Sequence, residues 1–148
     1  MRLSGSSGKA RNPGGFKMAD ILLDSDVLIE WLRGNQPVAG SVLKLLERGH
    51  NLLWTPVSIA KIFAGARKNE SARIETLFLI LETLPISGTV GEKAGQYMQK
   101  YSRSHGVELG DALIAALACV TRLSLWTLNR KYYPMPEIRF FSPNSTRD

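Results

Sequence analysis

Four carboxylates in this chain have the type and spacing to act together. Asp24 ends a short apolar run, Ile21 to Leu23, and Asp26 follows two residues later. A carboxylate at the C-terminal end of a strand stands where open α/β sheets place their ligands. Two carboxylates this close repel unless a cation or several donors satisfy them. A second pair, Glu108 and Asp111, leads into the most apolar helical stretch, Asp111 to Val120. On position alone, an Asp at a helix start is more often a cap for unpaired backbone N–H groups. Here another acid stands about one turn away. If Ile21–Leu23 is a central strand, Asp24 and Asp111 meet above one sheet edge. Oxygen ligands of this kind suit hard divalent cations such as Mg²⁺. Such ions support phosphodiester hydrolysis by activating water and neutralising charge on the phosphate.

The elements that must position these acids follow from apolar spacing and breakers. After the first strand, Val27 to Arg33 reads as a helix ending at Gly34 and Asn35. Pro37 opens the next, with Val38, Val42, Leu45 and Leu46 at helical spacing. Asn51 to Thr55 reads as a second strand ended by Pro56, and Ser58 as the cap of a helix to about Arg67. Ser71 to Leu81 is a further helix, and Leu84–Ile86 the expected third strand. Thr89 is the expected cap of a long helix to about His105; the apolar Asp111–Val120 helix follows. Leu123–Thr127 reads as a fourth strand and Ile138–Phe141 as a fifth. Short apolar strands alternating with helices predict βαβ units and a mainly parallel sheet.

Composition fits one domain with a real core: 148 residues, 44% hydrophobic and 22% charged. No apolar run is long enough to span a membrane. The lone Cys119 excludes an internal disulfide and fits a reducing compartment, so a cytoplasmic location is expected. The net charge is +6, but Arg2, Lys9, Arg11 and Lys17 supply +4 of it, leaving +2 for the body. Residues 1–17 are rich in Gly, Ser and basic residues and have almost no large apolar side chains. Such a stretch cannot offset its ordering entropy by burial. It is expected to be a disordered basic tail, appended or read through from upstream, with Met18 as a plausible natural start and 18–148 as the domain.

Four segments in order then carry a resemblance. They are Leu22-Leu-Asp-Ser-Asp-Val-Leu-Ile29, Thr55-Pro-Val-Ser-Ile-Ala-Lys-Ile-Phe-Ala-Gly-Ala-Arg67, Leu109-Gly-Asp-Ala-Leu-Ile-Ala-Ala116 and Trp126-Thr-Leu-Asn-Arg-Lys-Tyr-Tyr-Pro-Met135. Together they resemble PIN-domain proteins of the VapC toxin kind, over about Met18 to Phe141. No single motif is specific; the four in order are. The resemblance implies an α/β/α sandwich with a mainly parallel sheet of four to five strands. It implies an Mg²⁺- or Mn²⁺-dependent endoribonuclease, a homodimer, and inhibition by a small VapB-type antitoxin. Asp24 and Asp111 match acids that ligate metal. Asn129 stands where many PIN domains have a fourth acid, and Asp26 where a polar residue orients the first. Glu108 has no fixed family role but can reach a second metal or its waters.

The departure is Lys61. The resemblance calls for a Glu there, the second metal-site acid, and this chain has Ser58-Ile-Ala-Lys-Ile62. An ammonium group only donates and cannot ligate a cation. It is expected to pair with Asp24 or Asp111 and take the metal's place. At about 4 Å and an effective dielectric near 20, each pair amounts to roughly 4 kcal/mol of gross attraction. The expected function is therefore a VapC-like ribonuclease impaired at Lys61; the alternative is an inactive PIN module that binds antitoxin or RNA. Arg130 and Lys131 follow Asn129 and are candidates to hold RNA phosphates; a solvated face is the plainer account of them. A third reading is a haloacid-dehalogenase-type phosphatase, since Asp24-Ser-Asp-Val27 fits its Asp-x-Asp motif. The late acidic pair that family needs is not matched, and the chain is short for it. No Gly-x-Gly-x-x-Gly follows the first strand, which disfavours dinucleotide binding.

Overall fold

The computed structural model describes residues 19–143. The expected tail, 1–17, and the start at Met18 lie outside them. The elements are β1 (Asp20–Leu23), α1 (Ser25–Leu32), α2 (Gln36–Glu47), β2 (Asn51–Trp54), α3 (Pro56–Ala64), α4 (Ser71–Ile80), β3 (Glu82–Thr83), α5 (Gly88–His105), α6 (Leu109–Thr121), β4 (Ser124–Trp126) and β5 (Arg139–Phe140). Short 3₁₀ turns occupy Lys68–Glu70 and Arg130–Tyr132.

The strands form one five-stranded sheet in the order β3-β2-β1-β4-β5, and every neighbouring pair is parallel. β1 is central: Leu22 pairs with Leu53 on one side and Leu125 on the other. Side chains of a strand alternate between faces, and β1 is apolar from Ile21 to Leu23 because both faces are covered. Ile21 and Leu23 pack with α1, α2, α3 and α4 in one core, which includes Trp54 and Trp126. Leu22 enters a second core with α5 and α6. The result is the expected α/β/α sandwich. Small residues on α6, Ala112, Ala115, Ala116 and Ala118, are all buried and let that helix lie close to the sheet.

Local departures have local causes. The third strand pairs at Glu82–Thr83, not Leu84–Ile86. Leu84 N–H still donates to the Trp54 carbonyl at 2.9 Å, but Pro85 has no N–H to extend the ladder. Thr55, not Ser58, caps α3: its Oγ1 accepts from Val57 N–H at 3.0 Å and Ser58 N–H at 3.3 Å. Pro56 then fits the first helical position, where no N–H is needed. Ser87, not Thr89, caps α5 by accepting from Val90 N–H at 3.3 Å. The first helix starts at Ser25, with Asp24 as its cap.

Candidate active site

The acids gather where the chain leaves the C-terminal end of the central strand. There β1 has β2 on one side and β4 on the other, so connections run off in opposite directions and open a crevice. A backbone bond from Asp24 N–H to the Trp126 carbonyl, 2.9 Å, ties β1 to β4 at this point. The cleft, about 390 Å³, is lined by Asp24, Asp26, Lys61, Glu108, Asp111 and Asn129. The sequence pointed to all six. Gly106 and Tyr132 also line it, and nothing in their spacing announced them.

Asp24 is buried, and both its oxygens are occupied. Oδ1 accepts from Ser25 N–H at 2.8 Å and Ser25 Oγ–H at 3.4 Å. Oδ2 accepts from Thr127 Oγ1–H at 2.8 Å and Tyr133 O–H at 2.9 Å. Burial and the neighbouring Asp24 carboxylate push the Tyr133 hydroxyl well above the usual phenol range, so it stays a donor. Thr127 and Tyr133 escaped the sequence reading. Both sit inside the quoted Trp126–Met135 segment, but a lone hydroxyl at the end of a strand or in irregular chain gives no signal of its partner.

Asp26 is asymmetric. Its Oδ2 accepts from Asn129 Nδ2–H at 2.9 Å and Leu128 N–H at 3.1 Å, and lies 3.3 Å from Thr127 Oγ1. Its Oδ1 is buried with no partner. Burial first, and the Asp24 charge second, push the Asp26 carboxyl up to about 6, against the lowering effect of the Asn129 amide and of the Leu128 and Val27 backbone N–H groups. Asn129 is thus engaged with Asp26 in this arrangement.

Asp111 sits in the first turn of α6, and its Oδ2 accepts from Glu108 N–H at 3.1 Å. The capping role and the place in the cleft therefore coexist. Burial raises its carboxyl above the usual range, while Lys61 acts in the opposite direction. Glu108 is exposed on the rim.

Lys61 corrects one expectation. Among the described residues it makes no ion pair with Asp24 or Asp111; the Arg33–Glu70 pair, at 3.5 Å, lies outside the cleft. The ammonium instead passes over Gly110, with Nζ 3.1 Å from where a Cβ on that glycine would stand. Asp24 offers it little, since four donors already hold its oxygens. The lysine contributes positive charge felt at Asp111, at a position on α3 from which its side chain lines the cleft. Arg130 and Lys131 do not line the cleft. The Arg130 guanidinium lies over the Phe140 ring at 4.7 Å and donates to Ser142 Oγ at 2.6 Å. Lys131 Nζ sits 5.1 Å from the Tyr132 ring centroid.

The donor chemistry is of the kind a hard divalent ion takes, carboxylate oxygens of Asp24 and Asp111, and the neighbouring Asp26 has a buried Oδ1 with no partner. The geometry does not complete a centre. No group of three or more acids, histidines or cysteines among the described residues is placed to hold a metal, and a cation stands at 61. The residues present therefore do not fit a divalent ion as they stand.

Comparison with known proteins was consistent across sequence and structure. The PIN domain model matches residues 21–137. Ribonuclease VapC10 of Mycobacterium tuberculosis is 38% identical over 118 residues, covering 79% of this chain and 88% of the relative. Ribonuclease VapC19 of the same organism is 28% identical over 115 residues, covering 77% and 92%. Among solved structures, DNA-bound VapBC from Salmonella typhimurium superposes with a TM-score of 0.70 at 21% identity, covering 84% of this chain and 98% of that one. VapBC2 from Rickettsia felis gives 0.69 at 16% identity, covering 82% and 96%. At these identities the structural likeness speaks for the fold.

Proposed function

As this chain belongs to the PIN-domain family, we propose that it is a VapC-type endoribonuclease, the toxin of a toxin–antitoxin pair, impaired by Lys61. The observation that carries the reading is the convergence of Asp24 and Asp111 with Lys61 in one cleft above the central strand. Asp24 and Asp111 are the residues that would hold Mg²⁺ or Mn²⁺ in this reading if position 61 carried a carboxylate; with Lys61 they do not. Asp26 and Glu108 are supporting acids, and Asn129 holds Asp26 through its amide. Thr127 and Tyr133 fix the Asp24 carboxylate from beneath. A Glu at 61 would give the cleft a third carboxylate in place of a cation. RNA is the substrate, with Arg130 and Lys131 outside the cleft on the adjoining turn.

The same reading takes residues 18–148 as one PIN domain in a cytoplasmic homodimer bound by a VapB-type antitoxin. No helix among the described residues is long and apolar enough to cross a membrane. Phe63 and Phe78 stand exposed with ring centroids 6.1 Å apart, an apolar surface that an assembly would cover. The phosphatase reading of Asp24 and Asp26 gives way, because the PIN match spans both acid pairs.

The test is RNA cleavage by the chain and by Lys61→Glu under titrated Mg²⁺ and Mn²⁺. The expected result is metal-dependent cleavage in the variant at least about 100-fold above the parent, the scale of losing a key charge-stabilising group. It should be abolished again by Asp24→Asn in the Lys61→Glu background. Equal, metal-independent behaviour of both forms contradicts the proposal. A specific observation favours one second reading: with a lysine in the cleft, the chain binds RNA or antitoxin without cutting. Binding without cleavage in both forms selects it.

A further inference from the structure

Along the C-terminal half of α5, rings and cations alternate toward the cleft. Tyr97, Tyr101 and His105 stand four residues apart, which places them on one helix face. Their ring centroids are 6.2 Å apart for Tyr97–Tyr101 and 5.7 Å for Tyr101–His105. Lys100 Nζ lies 5.4 Å from the Tyr101 centroid. Tyr97 is buried and belongs to the core, Tyr101 is half-buried, and Lys100, Arg103 and His105 are exposed.

The row ends at the cleft. His105 precedes Gly106, which lines the cleft, and Tyr132 Cε1 lies 4.0 Å from the Cβ position of Gly106. Tyr132 lines the cleft too and carries Lys131 over its ring. Core packing accounts for Tyr97 and for the buried sides of Tyr101 and Tyr132; it does not account for a cation over each of these rings, Lys93 over Tyr97 at 5.2 Å, Lys100 over Tyr101 and Lys131 over Tyr132. Lys93, Lys100 and Lys131 form no ion pair among the described residues, so their charge is open to a polyanion.

We propose that this row is the track along which single-stranded RNA runs as it leaves the cleft. Bases stack on Tyr132, His105 and Tyr101, and phosphates lie against Lys131, Lys100 and Lys93. Charge complementarity and continuity with the cleft select the occupant. Stacking platforms beside cations bind single strands with little sequence preference, because every base has a π-face. The inference rests on the ribonuclease reading for the identity of the polymer.

The test is fluorescence anisotropy with the full chain, using a labelled mixed-sequence RNA of about 12 nucleotides and a trimer, a range set by usual single-strand site sizes. The track predicts that Tyr101→Ala, and separately the double variant Lys93→Ala/Lys100→Ala, weaken the long RNA about five- to tenfold. Trimer binding stays at the parent level. Tyr101→Phe keeps the ring and keeps parent affinity. In the double variant the salt slope of log K falls by roughly 0.7 for each phosphate that is no longer neutralised. The double variant removes two charges from side chains outside the core, so it decides the matter if Tyr101→Ala fails to fold. Long RNA bound equally well by parent and double variant overturns the track and leaves the ribonuclease reading standing. A parent that binds neither RNA overturns both.

Discussion

Asp24 and Asp26 are two residues apart and have opposite surroundings. Asp24 has donors on both oxygens; Asp26 has three donor groups around Oδ2 and none on its buried Oδ1. A carboxyl raised in the fold to about 6 from 3.8 binds its proton more tightly folded than unfolded. Its contribution to stability is fully present below the unfolded value and is lost as pH rises through the folded one. Asp26→Asn should therefore stabilise the protein near pH 7 by about 1 kcal/mol after solvent screening, with the gain fading toward pH 4. Thermal melts of both forms across that range check it; a gain that grows toward pH 4 contradicts it. The sequence showed that these two acids need satisfying. It did not show who satisfies them, because the donors come from Thr127, Leu128, Asn129 and Tyr133, about a hundred positions away. Lys61 was legible as a charge reversal, but its partner was not: the expected ion pair is replaced by passage over Gly110.

At the scale of elements, β1 and α6 were legible because each has a continuous apolar stretch bounded by an acid or a polar turn. Caps were less so. Thr55, Ser58, Ser87 and Thr89 are all residues that cap well, and which of two candidates does so depends on where the backbone turns. Pro56 decides the first case by fixing the first helical position. Thr55 is fully buried and holds two N–H groups of the helix that carries Lys61. Thr55→Ala should cost about 1–2 kcal/mol in urea denaturation, whereas Thr89→Ala, off the cap, should fall within about 0.5 kcal/mol of the parent. Equal losses at both sites would contradict the assignment. β3 was misplaced because Leu84 and Ile86 are apolar for packing, a signal that does not distinguish a paired strand from an extended chain lying on the core.

For the whole molecule, the alternation of β1 between two cores explains how one chain builds a layered sandwich and leaves its acids at the strand ends. This much was legible, since parallel βαβ order and an apolar central strand leave few arrangements. Quaternary structure was not, because it depends on surfaces that periodicity does not distinguish from a solvated face. If the proposed homodimer forms, sedimentation equilibrium returns twice the 16.4 kDa chain mass; a monomer at all concentrations contradicts it. The sheet, the crevice at β1 and the acids brought from both halves of the chain all converge on one question, whether this cleft holds a divalent ion or is denied one by Lys61. Isothermal titration of Mn²⁺ into the chain and into Lys61→Glu answers it most directly. The account predicts no saturable heat for the chain and one site per protomer for the variant, lost on adding Asp24→Asn. Tight, saturable binding by the unaltered chain, or none by the variant, would contradict it.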